Sequence, residues 1–533
     1  MHSLFNLYLS VARHLLMYRI LSFLLLFTTL HSQLNAQIFP KEGRVLNYRI
    51  IGFSFPSVPE VNNYTIVVAL GNHSTEESFK KSIVLSISCD TNRKILTVPS
   101  FGKQYTWRVE YTVRNLTKIT KTGFHHFSTG IVPAVDTSIN KLKIITVAQK
   151  YKDAFVFLDV PGVLFDMNGE PVWYLPNNIN FDSTNIRDIK LSPLGTITYM
   201  DNNGIYEIDY DGNLLWTKPE HSINNNSTHK TLDYMNNRYH HQFNRLPNGH
   251  YMALGFENVS CKLPDSNDSV FAIIDDEIMK KNTDSTSRKE LFGTLVEYDQ
   301  KGNLVWRWRS SKYFEKSDLL NWRIPNARID LHDNAFFFDE NNNTFYISFR
   351  NISRIIKLKY PEGDVLNTYG NIYQKGAPNK HIYKESGNEF FAMQHACSVS
   401  QNGHLCMYNN GSGDSNVIPT VLVMQEPLSE KGKLKKVWEF ECSINDSEKR
   451  LGFLPGAGGG NVLELADQSM FVAMGKSFSK IFIVNLDKQI LWSAMFEIWD
   501  KDQKTWKMLS SYKASIITNL KELEQLIWNA ENK

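Results

Sequence analysis

Three histidines stand at one spacing from the turns that follow them. His241 lies seven residues before Asn248 of a PNG turn, His332 seven before Asp339 of a DEN turn, and His395 seven before Asn402 of a QNG turn. Imidazole can act near neutral pH as acid, base, nucleophile or metal ligand, and a lone histidine is commonly a hydrogen-bonded structural group. Three at one register point instead to a functional cluster, because ionisable groups gathered in a fold cost free energy unless they are paired or used. Arg350 ends the strand that pairs with the one His332 opens, and Arg187 has the corresponding offset before Gly195. Three histidines could hold zinc with an open position. A fixed guanidinium beside them is a poor neighbour for a metal and a good one for an anion. The expectation is an oxyanion site of His395, His332, Arg350 and His241, with no metal. His240, next along the strand, is expected on the opposite face and takes a secondary place.

The elements that must position these residues form a repeat. From about residue 140 onward an apolar strand, an Asp/Asn/Gly turn and a second apolar strand ending in Trp recur as LFDMNGEPVW, YEIDYDGNLLW, LVEYDQKGNLVW, IIKLKYPEGDVLN, VLVMQEPLSEKGKLKKVW and IFIVNLDKQILW. Trp173, Trp216, Trp306, Trp438 and Trp492 share one position, with Asn367 in the fourth copy. Gly169, Gly212, Gly302, Gly363 and Gly432 supply the turns, and the sixth copy has Lys488 there. A second hairpin, such as FNRLPNGHYMAL or VSQNGHLCMY, precedes most copies. Two hairpins make a four-stranded blade, so the fold class is all-β: a six-bladed β-propeller preceded by a small N-terminal β-sandwich. The first strand of each blade lines the axial channel, which would aim the three imidazoles at one volume. The tryptophans are expected in the core between blades.

The expected divisions are 1–36 as a signal peptide, 38–135 as the β-sandwich, 140–510 as the propeller, and 511–533 as a C-terminal tail with helical character from LKELEQLIWNA. The insertion at about 257–291 reads as a solvated loop. Arg13, His14 and Arg19 precede the apolar run ILSFLLLFTTL and the polar HSQLNAQ, the layout of a secretory signal cleaved after Ala36. That predicts a periplasmic or secreted protein with no membrane span in its mature form; an uncleaved anchor is the alternative. A net charge of only +3 over 533 residues, without a basic stripe, argues against nucleic acid as a partner. Cys89, Cys261, Cys397, Cys406 and Cys442 fit no CxxC spacing, and their odd number leaves at least one unpaired within the chain.

HHQFNRLPNGHYMAL, LHDNAFFFDENNNTFYISFRN and MQHACSVSQNGHLCMYNNG resemble segments of the bacterial arylsulfate sulfotransferases. The resemblance covers about residues 140–500 and, more loosely, the front domain. It implies transfer of a sulfuryl group between phenols without a nucleotide donor or other cofactor. His395 would be the nucleophile that becomes sulfurylated, with His241, His332 and Arg350 around the transferred group. The partners would be an aryl sulfate donor and a phenolic acceptor; a homo-oligomer is left open. Gln242 stands where the family often has Asp, and SQNG replaces the usual LPNG after His395. The chemistry suits these residues, because sulfuryl transfer spreads negative charge over equatorial oxygens and asks mainly for positioning and electrostatic stabilisation. Arg350 and a protonated His332 or His241 would meet that charge. Phe391 and Tyr408 are the candidates for stacking on a substrate ring, with core packing as the competing role. Two other functions fit the architecture: a periplasmic metal- or quinone-dependent propeller oxidoreductase, and a non-enzymatic propeller that binds an anionic or carbohydrate ligand.

Overall fold

Four of the turns within the outer hairpins share one construction. The side-chain oxygen of Asp166, Asp209, Asp299 or Asn485 accepts a backbone N–H four residues on, from Glu170, Asn213, Asn303 or Gln489. Such Asx-type bonds stabilise tight turns whose fourth position is left-handed. Gly169, Gly212 and Gly302 occupy that position with φ near +80°, and in the sixth copy Lys488 adopts φ +65°.

The computed structural model describes residues 38–114, 118–147, 149–176, 186–219, 239–262, 272–273, 287–314, 331–370, 390–411, 418–427, 434–443, 458–475, 480–509 and 511–531. The signal peptide expected at 1–36 lies outside them. The chain divides into two units, Met1–Gly130 and Ile131–Lys533. In the first, a sheet ordered Arg44–Leu46, His125–Thr129, Gln104–Tyr111, Tyr64–Leu70, Ile83–Cys89 is accompanied by the pair Ile50–Ser54 and Arg93–Thr97. Phe53 of the pair meets Trp107 of the larger sheet edge-on at 5.0 Å, so an aromatic core lies between them.

The second unit holds, among the described residues, six sheets of four or more strands. Their first edge strands are Ala514–Ile517, Arg187–Leu191, Phe243–Arg245, Asp333–Asp339, His395–Val399 and Asn461–Glu464. Each sheet touches the next through these strands or their immediate partners, and the sixth touches Ala514–Ile517 of the first, which makes a propeller-like ring. Tryptophans bind the outer part of that ring. The indole N–H of Trp173 donates to the Tyr210 carbonyl at 2.7 Å, Trp306 to Pro361 at 2.6 Å, Trp438 to Leu486 at 2.8 Å and Trp492 to Met167 at 3.0 Å. Each bond runs from one sheet to a turn of the next, the last from the sixth back to the first. Trp216 instead stacks on Tyr251 of the following sheet, with centroids 3.7 Å apart.

Two expectations change here. Residues 511–533 are more than a tail: Ala514–Ile517 pairs antiparallel with Phe155–Leu158 and completes the first sheet, and only Leu520–Glu531 is helical. The strand would otherwise leave a buried sheet edge unpaired. The segment read as a solvated loop begins and ends in strand, because Tyr251–Lys262 and Ser287–Tyr298 extend the central hairpin of the third sheet to 12 residues a side. Among the described residues, no helix is long and apolar enough to cross a membrane.

Candidate active site

The inner strands begin irregularly, and the irregularities carry the site. Register shifts fall at Arg187/Lys190, Asp333/Ala335 and His395/Ser398. Beside them Asp188, His332 and Ala396, and just before the inner strand of the third sheet His241, adopt φ between +50° and +63°. A left-handed L-residue costs about 1–2 kcal/mol, and bulges re-aim side chains where a regular strand would alternate them. At His241 the consequence is direct: the alternation expected to send His240 away is broken. The His240 and His241 rings meet through Nδ1 atoms 2.7 Å apart. His241 Nε2 lies 3.1 Å from His332 Nε2, and His240 Nε2 lies 3.2 Å from the Gly255 carbonyl. A carbonyl only accepts, so with neutral rings the protons order themselves: His240 carries its proton on Nε2, His241 on Nδ1, and His332 donates from Nε2. His240 also stacks on Phe256 at 3.8 Å between centroids.

His395 opens the inner strand of the fifth sheet and is 1% exposed. Its Nε2 accepts the Gly459 N–H at 3.2 Å, and Nδ1 faces the Met393 carbonyl at 3.3 Å. The Asn410 amide nitrogen donates to the Met393 carbonyl at 3.0 Å and the Gly459 carbonyl at 3.2 Å and lies 2.8 Å from Nδ1, tying together the two segments that flank the ring. Tyr512 joins the two halves of the site, its ring centroid 5.7 Å from that of His241 and 6.2 Å from that of His395. The guanidinium of Arg187 lies 5.4 Å from the Tyr512 centroid. Arg350 donates its backbone N–H to the His332 carbonyl at 2.9 Å, and its charge is felt by both His395 and Tyr512.

Burial first, and then electrostatic interaction with Arg350, His332 and Lys513, hold His395 well below its ordinary value of 6.5. His241 is depressed for the same leading reason, then by His240, His332, His395 and Lys513. Both rings are therefore neutral at neutral pH. The site combines a neutral, unprotonated imidazole nitrogen with fixed cations and a bonded histidine chain.

A model of the arylsulfotransferase (ASST) family matches residues 141–435. The chain belongs to this family. Aryl sulfotransfer is accordingly its activity in general terms. No curated protein matches the chain. Among solved structures, it is similar to a Bacteroides caccae protein of unknown function, at 12% identity over 71% of this chain and 99% of that one, with TM-score 0.37. It is also similar to a periplasmic gluconolactonase of Pseudomonas aeruginosa, at 9% identity over 86% and 99%, with TM-score 0.28.

Within this arylsulfotransferase-family chain, His241 and His332 are in contact, Tyr512 bridges from His241 to His395, and Arg350 lies within electrostatic reach of His395. The charge expected on His241 is disfavoured by its burial and by the imidazoles around it. Phe391 and Tyr408, the candidates for ring stacking, are core residues. Phe391 is packed with Tyr346, Tyr369 and Leu405, and Tyr408 with Val421, Val462 and Phe482. Sequence reasoning gave His240 only a secondary place and passed over Asn410, Gly459, Tyr512 and Lys513. Counting seven residues back from Asp467 of the sixth sheet's turn lands on Gly460, in the run GAGGGN. That count was available as a sign of close backbone approach. Tyr512 and Lys513 carried no such sign, because their strand reaches the first sheet from the far end of the chain.

Proposed function

We propose that this chain moves a sulfuryl group from an aryl sulfate to an acceptor phenol in two half-reactions, through a sulfo-histidine on His395. The observation that carries this reading is the buried, neutral His395, whose Nε2 bears a lone pair rather than a proton. In the first half Nε2 attacks sulfur; the N–S bond forms as the S–O bond to the aryl group breaks, and the phenolate leaves with the electron pair. The Gly459 N–H, bonded to that lone pair at rest, turns to a sulfuryl oxygen. Arg350 meets the charge that develops on the equatorial oxygens. The phenolate takes a proton relayed from solvent through the His332–His241 pair, which starts and ends neutral, and the acceptor phenol gives one back by the same path as it attacks sulfur in the second half. Phenols suit both directions because a phenolate, with conjugate pKa of about 10, leaves far more readily than an alkoxide.

The test incubates purified protein with a chromogenic aryl sulfate, with and without a second phenol. Acceptor-dependent release of the chromogenic phenol is expected, lost by about 10³-fold or more in His395→Asn. Without acceptor, mass spectrometry should find an added SO3 on the peptide that contains His395. Release equally fast in water alone, or undiminished in His395→Asn, overturns the reading.

A further inference from the structure

Lys513 is 5% exposed and sits beneath the histidine chain. Its ammonium donates to the His241 carbonyl at 2.9 Å and to Asp188 Oδ1 at 3.2 Å. The other Asp188 oxygen accepts the Phe243 N–H at 2.8 Å and the Lys190 ammonium. Lysine and carboxylate thus grip the chain on either side of Gln242, from the closing strand of the first sheet and the inner strand of the second. What they grip is the left-handed turn at His241, φ +63°. Backbone held in that region persists only where its surroundings over-determine it. A buried ammonium, for its part, needs a carboxylate and an acceptor to be tolerated.

We infer that Lys513 is a positioning residue of the histidine site: it fixes the turn that aims His241 at His332, so the site is completed only when the C-terminal strand closes the first sheet. This rests on the reaction proposed above for its kinetic consequences, though not for its geometry. Burial, His240, His332, His395 and Lys513 all depress His241, and burial, Arg350, His332 and Lys513 depress His395. Removing the ammonium therefore eases protonation of both rings. The acid limb of the pH profile should move to higher pH, a change that a purely structural lysine would not make.

The experiment compares Lys513→Met, Lys513→Arg and the double variant Asp188→Asn/Lys513→Met with wild type. The double variant also removes the carboxylate that bonds the lysine, and its folding is checked by circular dichroism. Turnover in both Met variants should fall about 10–100-fold, the scale of a displaced catalytic group, with the donor KM changed less than about 3-fold. Lys513→Arg should restore most of the rate. In protein labelled with 15N-histidine, the His241 signals should titrate at higher pH in both Met variants. A folded double variant with wild-type turnover and an unchanged His241 titration overturns the inference. If wild type transfers no sulfuryl group, the proposed reaction fails, and the titration alone still decides the role of Lys513.

Discussion

The two ends of the sheets in the ring obey different rules. At the outer hairpins the same parts return: an Asx-anchored turn with a left-handed fourth residue in the first, second, third and sixth sheets, and an indole bonded to the neighbouring turn from the first, third, fifth and sixth. At the inner strand starts the position repeats while the residue varies, histidine on three sheets and arginine or glycine on two others. Arg187, His241, His332, His395 and Gly460 occupy related positions in successive sheets, and the first sheet brings Tyr512 and Lys513. Repetition supplies a rigid frame with equivalent places around an axis. Difference among those places supplies the chemistry: the proposed nucleophile on one sheet, an imidazole pair on two others, and a bare backbone beside His395. Substitutions at inner positions should therefore change reactivity, and those at outer positions should change stability alone.

The sharpest break is expected at Gly460. It has φ +88°, and a Cβ there would lie 2.4 Å from the buried Tyr408 ring. Gly460→Ala must shift either the ring or the backbone that carries the adjacent Gly459 N–H. Overpacking costs about 1–3 kcal/mol, and displacing the donor on His395 should lower the first half-reaction at least about 10-fold. Stopped-flow release of the chromogenic phenol and thermal melting measure the two effects separately. A variant that matches wild type in both would erase the distinction between inner and outer ends.

Asp159 comes next in size, at the rear of the same end. Burial, and then the neighbouring Asp188, raise its carboxyl from 3.8 to about 7. A raised acid binds its proton more tightly in the folded state, so its contribution favours folding at low pH and is lost as pH rises from about 4 to about 7. Asp159→Asn keeps an acceptor for the Ile189 N–H, bonded at 3.0 Å, and removes the buried charge. The variant should gain on wild type steadily across that window, by on the order of a few kcal/mol at pH 8. Melting temperatures of both proteins from pH 4 to pH 8 test it; a constant difference would mean that Asp159 does not titrate there.

How much of this could be read in advance follows from how far each relation runs along the chain. The hairpins are local, so apolar alternation and Asx-Gly turns disclosed the sheets, and even the exception at Lys488 stood in the right place. The common offset of His241, His332 and His395 was visible because turn and strand are contiguous. What remained hidden depended on backbone conformation or on distant partners. The left-handed His241 turns His240 toward the site, and nothing in the alternation of HHQF signals φ +63°. Tyr512 and Lys513 follow the last repeat and return to pair with residues more than 300 positions earlier, a closure with no local mark. Phe391 and Tyr408 lie near His395 in sequence, but both belong to the packed layers between sheets, and proximity along the chain does not say which face a side chain takes.

The smallest effect is expected at an outer turn. Lys488 takes the position that Gly169, Gly212 and Gly302 fill in other copies, and its N–H bonds the Asn485 carbonyl at 3.0 Å as theirs bond Asp166, Asp209 and Asp299. The turn is therefore already formed, and only the side chain is at odds with φ +65°. Glycine there removes a left-handed penalty of about 1 kcal/mol, partly offset by the greater freedom of glycine in the unfolded chain. Lys488→Gly should raise stability by about 0.5 kcal/mol and leave sulfuryl transfer untouched at every pH. Denaturant titration followed by Trp fluorescence reads the first, because Trp438 bonds the Leu486 carbonyl of this turn at 2.8 Å. Steady-state kinetics read the second. A change in turnover would mean that outer turns communicate with the axis, and the separation of frame from chemistry would have to be given up.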